Sequence, residues 1–247
     1  ASTIRAAGQR AHACGLDVAD EGQFNALIDD IVARHGRLDF LFNNAGINRM
    51  GDVRDLGMEH WKQLMDVNLW GVIHGTLAAY RVMVQQRRGH IVNVSSGLGI
   101  TPAPRNVPYA TTKAAVVGLS ESLRIEARDL GVRVSVVCPG WIRTPMLDQK
   151  AVVTPGRSPR ISIGRAAALM PWRFITSEQA ARTILHGVAG NKPMIVFPFY
   201  VRAYCWLYHH CRPLTDWWNL QEIREFRRLT SVDPVSPSGE SRESKAP

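Results

Sequence analysis

Apolar residues recur along the chain with two periods. In "EGQFNALIDDIVARHG" (21–36), Phe24, Leu27, Ile28, Ile31 and Val32 fall at helical spacing. The same period predicts a long helical region over 58–86, a helix over 107–131 stopped by Gly131, and another over 177–190 with Ser177 as its N-cap. Between them lie short apolar runs that read as buried strands: "LDFLFNNAG" (38–46), "HIVNVSS" (90–96), "VRVSVVCPG" (132–140) and "PMIVFP" (193–198), with "AHACGLD" (11–17) as a further short strand. Strands separated by helix-length segments need crossover connections, which make a parallel sheet covered on both faces. The expected fold is therefore a doubly wound α/β sheet. Ligands of such sheets sit beyond the carboxyl ends of the strands, which points to "NNAG", "SSGLG" and "CPGWIRT".

Composition narrows the picture. At 247 residues and 45% hydrophobic content the chain suits one well-buried domain. The end, "VDPVSPSGESRESKAP", is rich in Pro, Ser and charge and predicts a disordered tail over 230–247. The net charge of +9 is uneven: residues 1–150 carry 17 basic and 14 acidic groups, whereas 151–220 carry 8 and 2. With no nucleic-acid-binding motif in the chain, that excess reads as solvated surface or as attraction for a phosphorylated cofactor or anionic membrane. The four cysteines, Cys14, Cys138, Cys205 and Cys211, lack disulfide-like regularity and read as reduced thiols of a cytoplasmic protein. Cys205, His209, His210 and Cys211 cluster, but with neither CxxC spacing nor a second ligand pair they make a poor zinc site. The amino end "ASTIRAAGQR" has no apolar run of the kind a secretory signal carries, and no segment has the apolar length of a spanning helix.

The chemistry-bearing residues gather at the strand ends. Asn43, Asn44, Ala45 and Gly46 follow one strand; Ser95 and Ser96 follow the next; Pro139, Gly140, Ile142 and Thr144 follow a third. Asn68 lies in the helical "MDVNLWG", and "NVPYATTKAA" places Tyr109 one helical turn before Lys113, so that their tips can converge. Taken singly, each has a plain structural reading: a surface asparagine, a turn, half-buried hydroxyls satisfied locally. Taken in order, "NNAG", Asn68, "IVNVSS", Ser96, Tyr109, Lys113 and "PGWIRT" resemble the short-chain dehydrogenase/reductases over about residues 11–198.

The resemblance implies a Rossmann-like enzyme using NAD or NADP to interconvert a lipophilic alcohol and a carbonyl compound, with Asn68, Ser96, Tyr109 and Lys113 as its catalytic set. Ser96 is preferred to Ser95 for its spacing to the tyrosine. By the same resemblance Asn68 ties Lys113 to solvent through water. Thr144, with Pro139, Gly140 and Ile142, faces the nicotinamide; Asn44, Ala45 and Gly46 line a ribose; Asp17 and Val18 face the adenine; Tyr109 and Lys113 also touch the cofactor. The physical reading agrees. A phenol near pKa 10 must drop about 3 units to act readily at neutral pH, roughly 4 kcal/mol. A unit charge about 4 Å away at moderate dielectric supplies about that much, so Lys113 is expected to lower Tyr109.

Two regions depart from the family pattern. No GxxxGxG precedes Asn43, so the first two strands of a Rossmann sheet, with the amides that hold pyrophosphate, are expected to be missing, and the choice between NAD and NADP is unreadable. "AHACGLD" would then lack a pairing neighbour, and dinucleotide binding by these residues alone is expected to be impaired. The domain is expected over 1–198, followed by an aromatic and basic helical extension over 199–229. Four readings of that extension compete: a lid over an apolar pocket, a subunit contact in a homo-oligomer, a helix lying on a membrane, and simple packing. An alternative for the whole chain is a non-catalytic family member acting as an oligomer partner.

Overall fold

The structure, a computed structural model, describes residues 1–148 and 174–230. The expected tail, but for Thr230 at the end of the last helix, lies outside the described residues, as does much of the basic stretch that follows residue 150. Helices α1 (Ser2–Ala6) and α2 (Glu21–His35) precede β1 (Phe40–Asn43); α3 (Met58–Met65) and α4 (Gly71–Gln86) precede β2 (Gly89–Val94). Then come α5 (Val107–Glu126), β3 (Val132–Pro139), α6 (Ser177–Ala189), β4 (Met194–Phe197), α7 (Phe199–His210) and α8 (Arg212–Thr230). The four strands pair in parallel in the order β1-β2-β3-β4, with Ile91 beside Val134 and Val137 beside Ile195.

Alternation along the strands decides which helices cover which face. Ile91 and Val134 pack on α2 and α4 through Phe24, Ile28, Ala79 and Met83, while Val136 and Cys138 pack on Val116 and Val117 of α5. Val92 and Val137 point the other way, onto Ala180 and Val188 of α6. The sheet is thus doubly wound, as its near-continuous apolar strands require. At β1 the second face is open: Phe40 and Phe42 are 56% and 40% exposed.

Three expectations are corrected. Residues 11–17 form no strand, because no chain lies beside them to complete a ladder; they run as coil, and β1 is the sheet edge. The cap of α6 is Thr176 rather than Ser177: its hydroxyl accepts from Gln179 N, and the Gln179 side chain returns the bond to Thr176 N, a reciprocal capping box. Helix α5 ends at Glu126, five residues before Gly131, whose positive φ of 78° turns the chain into β3.

A polar network crosses the core beneath the strand ends. Asn43 Nδ2 donates to Asn93 Oδ1 (2.9 Å) and to Thr76 Oγ1 (3.1 Å), and Asn93 Nδ2 donates to Ser120 Oγ (3.0 Å). Hydrogen-bonded in a low dielectric, this network ties β1, β2, α4 and α5 together. Asn43 therefore belongs to the scaffold, and its neighbours Asn44, Ala45 and Gly46 face the site.

Candidate active site

A single π turn, Asp66–Trp70, joins α3 to α4 and carries Asn68, which is fully buried. Such turns interrupt the helical ladder and re-aim a side chain. Asn68 Oδ1 accepts from Ile47 N (2.8 Å) and Nδ2 donates to Ile47 O (2.9 Å), fixing the loop after β1. Gly46 permits the approach: a Cβ there would stand 3.3 Å from Asn68 Oδ1 and 3.5 Å from Lys113 Nζ. The Asn68 side chain is thus spent on a backbone clasp.

At the end of β2 the two serines divide their work. Ser95 Oγ donates to Lys113 O (2.7 Å), pinning α5 to the strand. Ser96 caps the short turn Gly97–Gly99, its Oγ accepting from Leu98 N (3.1 Å), and its hydroxyl faces Tyr109. Spacing had favoured Ser96, and it is Ser96 that the fold sets against the phenol. On α5, Tyr109 and Lys113 are both buried, with Lys113 Nζ 5.7 Å from the tyrosine ring centre.

The electrostatics differ from expectation. Burial pushes Tyr109 up to about 12, with only the Ser96 hydrogen bond acting in the other direction. Burial also pulls Lys113 down to about 8. Lys113 therefore does not carry the phenol toward neutrality here, because the dry pocket disfavours the charged form of each group. Lys113 Nζ donates to Val94 O (2.8 Å) and has further donors for the cavity it lines.

These residues surround a cavity of about 650 Å³. Asn44, Ala45, Gly46, Pro139, Gly140, Ile142 and Thr144 line it with Ser96, Tyr109 and Lys113, so three strand ends meet as the parallel sheet requires. The Asp17 carboxylate accepts from Ala19 N (3.0 Å), and Val18 packs against Gly71 in an apolar recess beside β1 that shares Asn44 and Ala45 with the cavity.

The far wall comes from α7 and α8. Tyr200, Tyr204 and Trp218 enter the cavity, and Tyr200 Oη accepts from Trp141 N (3.0 Å) in the loop after β3. Tyr204 and Asn219 hydrogen-bond to each other and join the two helices. Helix α8 is held down by Arg227 Nε on Asp52 (2.6 Å), by an ion pair between Glu222 and Arg105, and by Phe226 packed beside Met50. Arg105, Asn48, Asn219 and Glu222 were not singled out from sequence. Asn219 and Glu222 were visible only as part of the aromatic and basic run, and Arg105 and Asn48, in loops, carried no signal, since a long-range ion pair leaves no local pattern. Among the described residues no group of three or more His, Cys, Asp and Glu is placed to hold a metal, and His209 and His210 turn their Nδ1 atoms to the carbonyls of Cys205 and Trp206.

Comparison with known proteins agrees with this arrangement. Residues 1–152 match the family model described as short chain dehydrogenase. The chain is 38% identical over 173 residues to a 3-oxoacyl-(acyl-carrier-protein) reductase of Thermotoga maritima, covering 69% of this chain and 66% of that protein. It is 38% identical over 152 residues to a 3-alpha-(or 20-beta)-hydroxysteroid dehydrogenase of Mycobacterium tuberculosis, covering 62% and 57%. The chain thus spans less than two thirds of the length of either relative. A short-chain dehydrogenase/reductase from Burkholderia phymatum, solved in complex with NAD, superposes with a TM-score of 0.74 at 26% identity, covering 95% of this chain and 83% of that one. With a matching family model over more than half its length and the ordered serine, tyrosine and lysine around one cavity, the chain belongs to the short-chain dehydrogenase family.

Proposed function

We propose that this protein is an NAD(P)-dependent oxidoreductase that interconverts a lipophilic alcohol and its ketone or aldehyde. The observation that carries the reading is the convergence of Ser96, Tyr109 and Lys113 on a cavity otherwise lined largely by apolar and aromatic side chains such as Leu98, Ile142, Trp141 and Trp218. The hydroxysteroid dehydrogenase named among the relatives has a substrate of that character.

The nicotinamide end of a cofactor fits the residues present. The glycine at 46 keeps the wall open beside Lys113, and Lys113 retains donors for ribose hydroxyls. Thr144 and Ile142 line the same wall for the carboxamide. When bound, the nicotinamide supplies or accepts the hydride. The chain's own part is the proton and the orientation. In reduction Tyr109 Oη gives its proton to the carbonyl oxygen as that oxygen gains charge, and Ser96 donates a second hydrogen bond to the same oxygen. A phenol held near 12 is protonated throughout the physiological range, the form that can donate to a carbonyl oxygen.

Helices α7 and α8 act as a lid through Tyr200, Tyr204 and Trp218. Their outer face favours a second role, peripheral contact with an anionic membrane. On these helices Phe199, Trp206 and Trp217 are 78%, 62% and 57% exposed, and Arg202, Arg212 and Arg224 are exposed as well. No helix among the described residues is long and apolar enough to cross a membrane. The competing use of that face is contact with a second copy in a homo-oligomer.

The test is a panel of cyclic and steroid alcohols and ketones assayed with NAD(H) and NADP(H). Turnover that is lost in Tyr109→Phe supports the reading. Absence of turnover across the panel in a folded protein would favour the non-catalytic alternative.

A further inference from the structure

The cavity has a polar end that the hydride chemistry does not use. Arg105 lies in the loop before α5 with a positive φ of 70°, held by its carbonyl accepting from Gly51 N (2.8 Å). Its guanidinium is buried, 7% exposed, over the Phe226 ring at 5.4 Å and paired with Glu222 of α8. Both side chains line the cavity. Two further polar atoms there have no hydrogen-bond partner among the described residues: Arg105 Nε, and Oδ1 of Asn48, whose Nδ2 donates to Asn106 Oδ1 (3.1 Å).

A buried ion pair is seldom retained for stability alone, because desolvating both charges offsets their attraction and an apolar pair of the same volume serves as well. Here the pair sits with Asn48, Asn106 and Asn219 at one end of a cavity otherwise lined largely by apolar and aromatic side chains, and burial holds the Arg105 guanidinium below its usual basicity. An entering carboxylate or phosphate would meet Glu222. A hydroxyl has no such conflict, since it donates to the Glu222 carboxylate while accepting from Arg105.

We propose that Arg105 and Glu222 form a distal recognition subsite for a hydroxyl group on the substrate, remote from the carbon served by Tyr109. The inference rests on the oxidoreductase reading and deepens it: the substrate is a rigid lipophile with two oxygen functions, one at each end. The subsite discriminates by leaving the buried Arg105 Nε without an acceptor when an analogue lacks that hydroxyl.

Three steroid ketones test this, identical except for a remote hydroxyl, a hydrogen or a sulfate in its place. Each is measured for kcat/KM and, without cofactor, for the shift in Tm it produces. The expected result is a preference for the hydroxyl compound over the hydrogen compound of about tenfold or more, with the larger Tm shift and the sulfate weakest. In the double variant Arg105→Met/Glu222→Leu, which replaces the pair by apolar groups of similar size, the preference should shrink to about twofold or less. Because that variant can fail to fold, Glu222→Gln, which keeps an acceptor, is run beside it and should retain part of the preference. A Tm preference without turnover on any compound would refute the oxidoreductase reading and uphold the subsite. Equal responses to the hydroxyl and hydrogen compounds, no Tm shift with any, preference for the sulfate, or an undiminished preference in the double variant would each overturn the proposal.

Discussion

Asn68 grips Ile47 by both of its backbone groups, accepting from the N–H at 2.8 Å and donating to the carbonyl at 2.9 Å. The residue that ends the "NNAGI" loop is thereby fixed to the π turn between α3 and α4, and Gly46 is held against Lys113. Replacing Asn68 by Ala leaves the part-buried N–H and C=O of Ile47 without this partner, a loss of about 1–3 kcal/mol for the pair. Urea unfolding of Asn68→Ala should show a loss in that range together with reduced turnover. An unchanged unfolding midpoint would refute the positioning role.

Tyr109→Phe removes the proton donor and leaves a ring of nearly the same shape in the same buried site. Turnover should fall by about 100-fold or more, with cofactor affinity and far-UV circular dichroism unchanged. Near-parental turnover in the Phe variant would rule out the assignment.

Lys113 gives a prediction in which stability and function move oppositely. Its folded pKa, about 8, lies below the ordinary 10.5, so its contribution to stability is present above pH 10.5 and lost as pH falls through 8. At pH 7 the protein bears the cost of a buried ammonium. Lys113→Met should therefore raise the Tm of the cofactor-free protein at pH 7 while lowering both turnover and cofactor affinity. A loss confined to one of those two functions would contradict the double role.

His90 makes the fold acid-labile. Buried with Nε2 on Ser135 Oγ at 2.8 Å, it is pulled from 6.5 to about 4 by burial and by the neighbouring Arg133 and Arg124. Its contribution is thus complete above pH 6.5 and lost as pH falls through 4, about 2 kcal/mol of it by pH 4.5. Chemical denaturation at pH 7 and pH 4.5 should show that loss in the parent and a smaller one in His90→Gln. Equal losses in both would place the sensitivity elsewhere.

The exposed face of α7 and α8 should bring the protein down with anionic vesicles at low salt and release part of it at high salt. Trp206→Ala/Trp217→Ala should abolish sedimentation without altering the cavity. A protein that stays in the supernatant but forms dimers lost in the same variant would assign that face to a second copy.

The periodic elements and the order of the chemical groups were legible in the chain itself. Helices α2, α4, α5 and α6 follow from apolar spacing, and β1 to β4 from buried runs, because burial on one face imposes its period locally. Tyr109 and Lys113 were paired by helix geometry alone, and Ser96 was chosen over Ser95 by the spacing that the family resemblance implies. Three things were decided only by tertiary structure. Whether "AHACGLD" becomes a strand depends on a neighbour to complete its hydrogen bonds, which no local pattern specifies. The ionisation of Tyr109 and Lys113 depends on how much water the fold removes, and that loss outweighed the charge that spacing placed beside the phenol. The polar end of the cavity depends on α8 crossing the strand ends, so that Glu222 meets Arg105 and Arg227 meets Asp52 across a separation in sequence that periodicity cannot span.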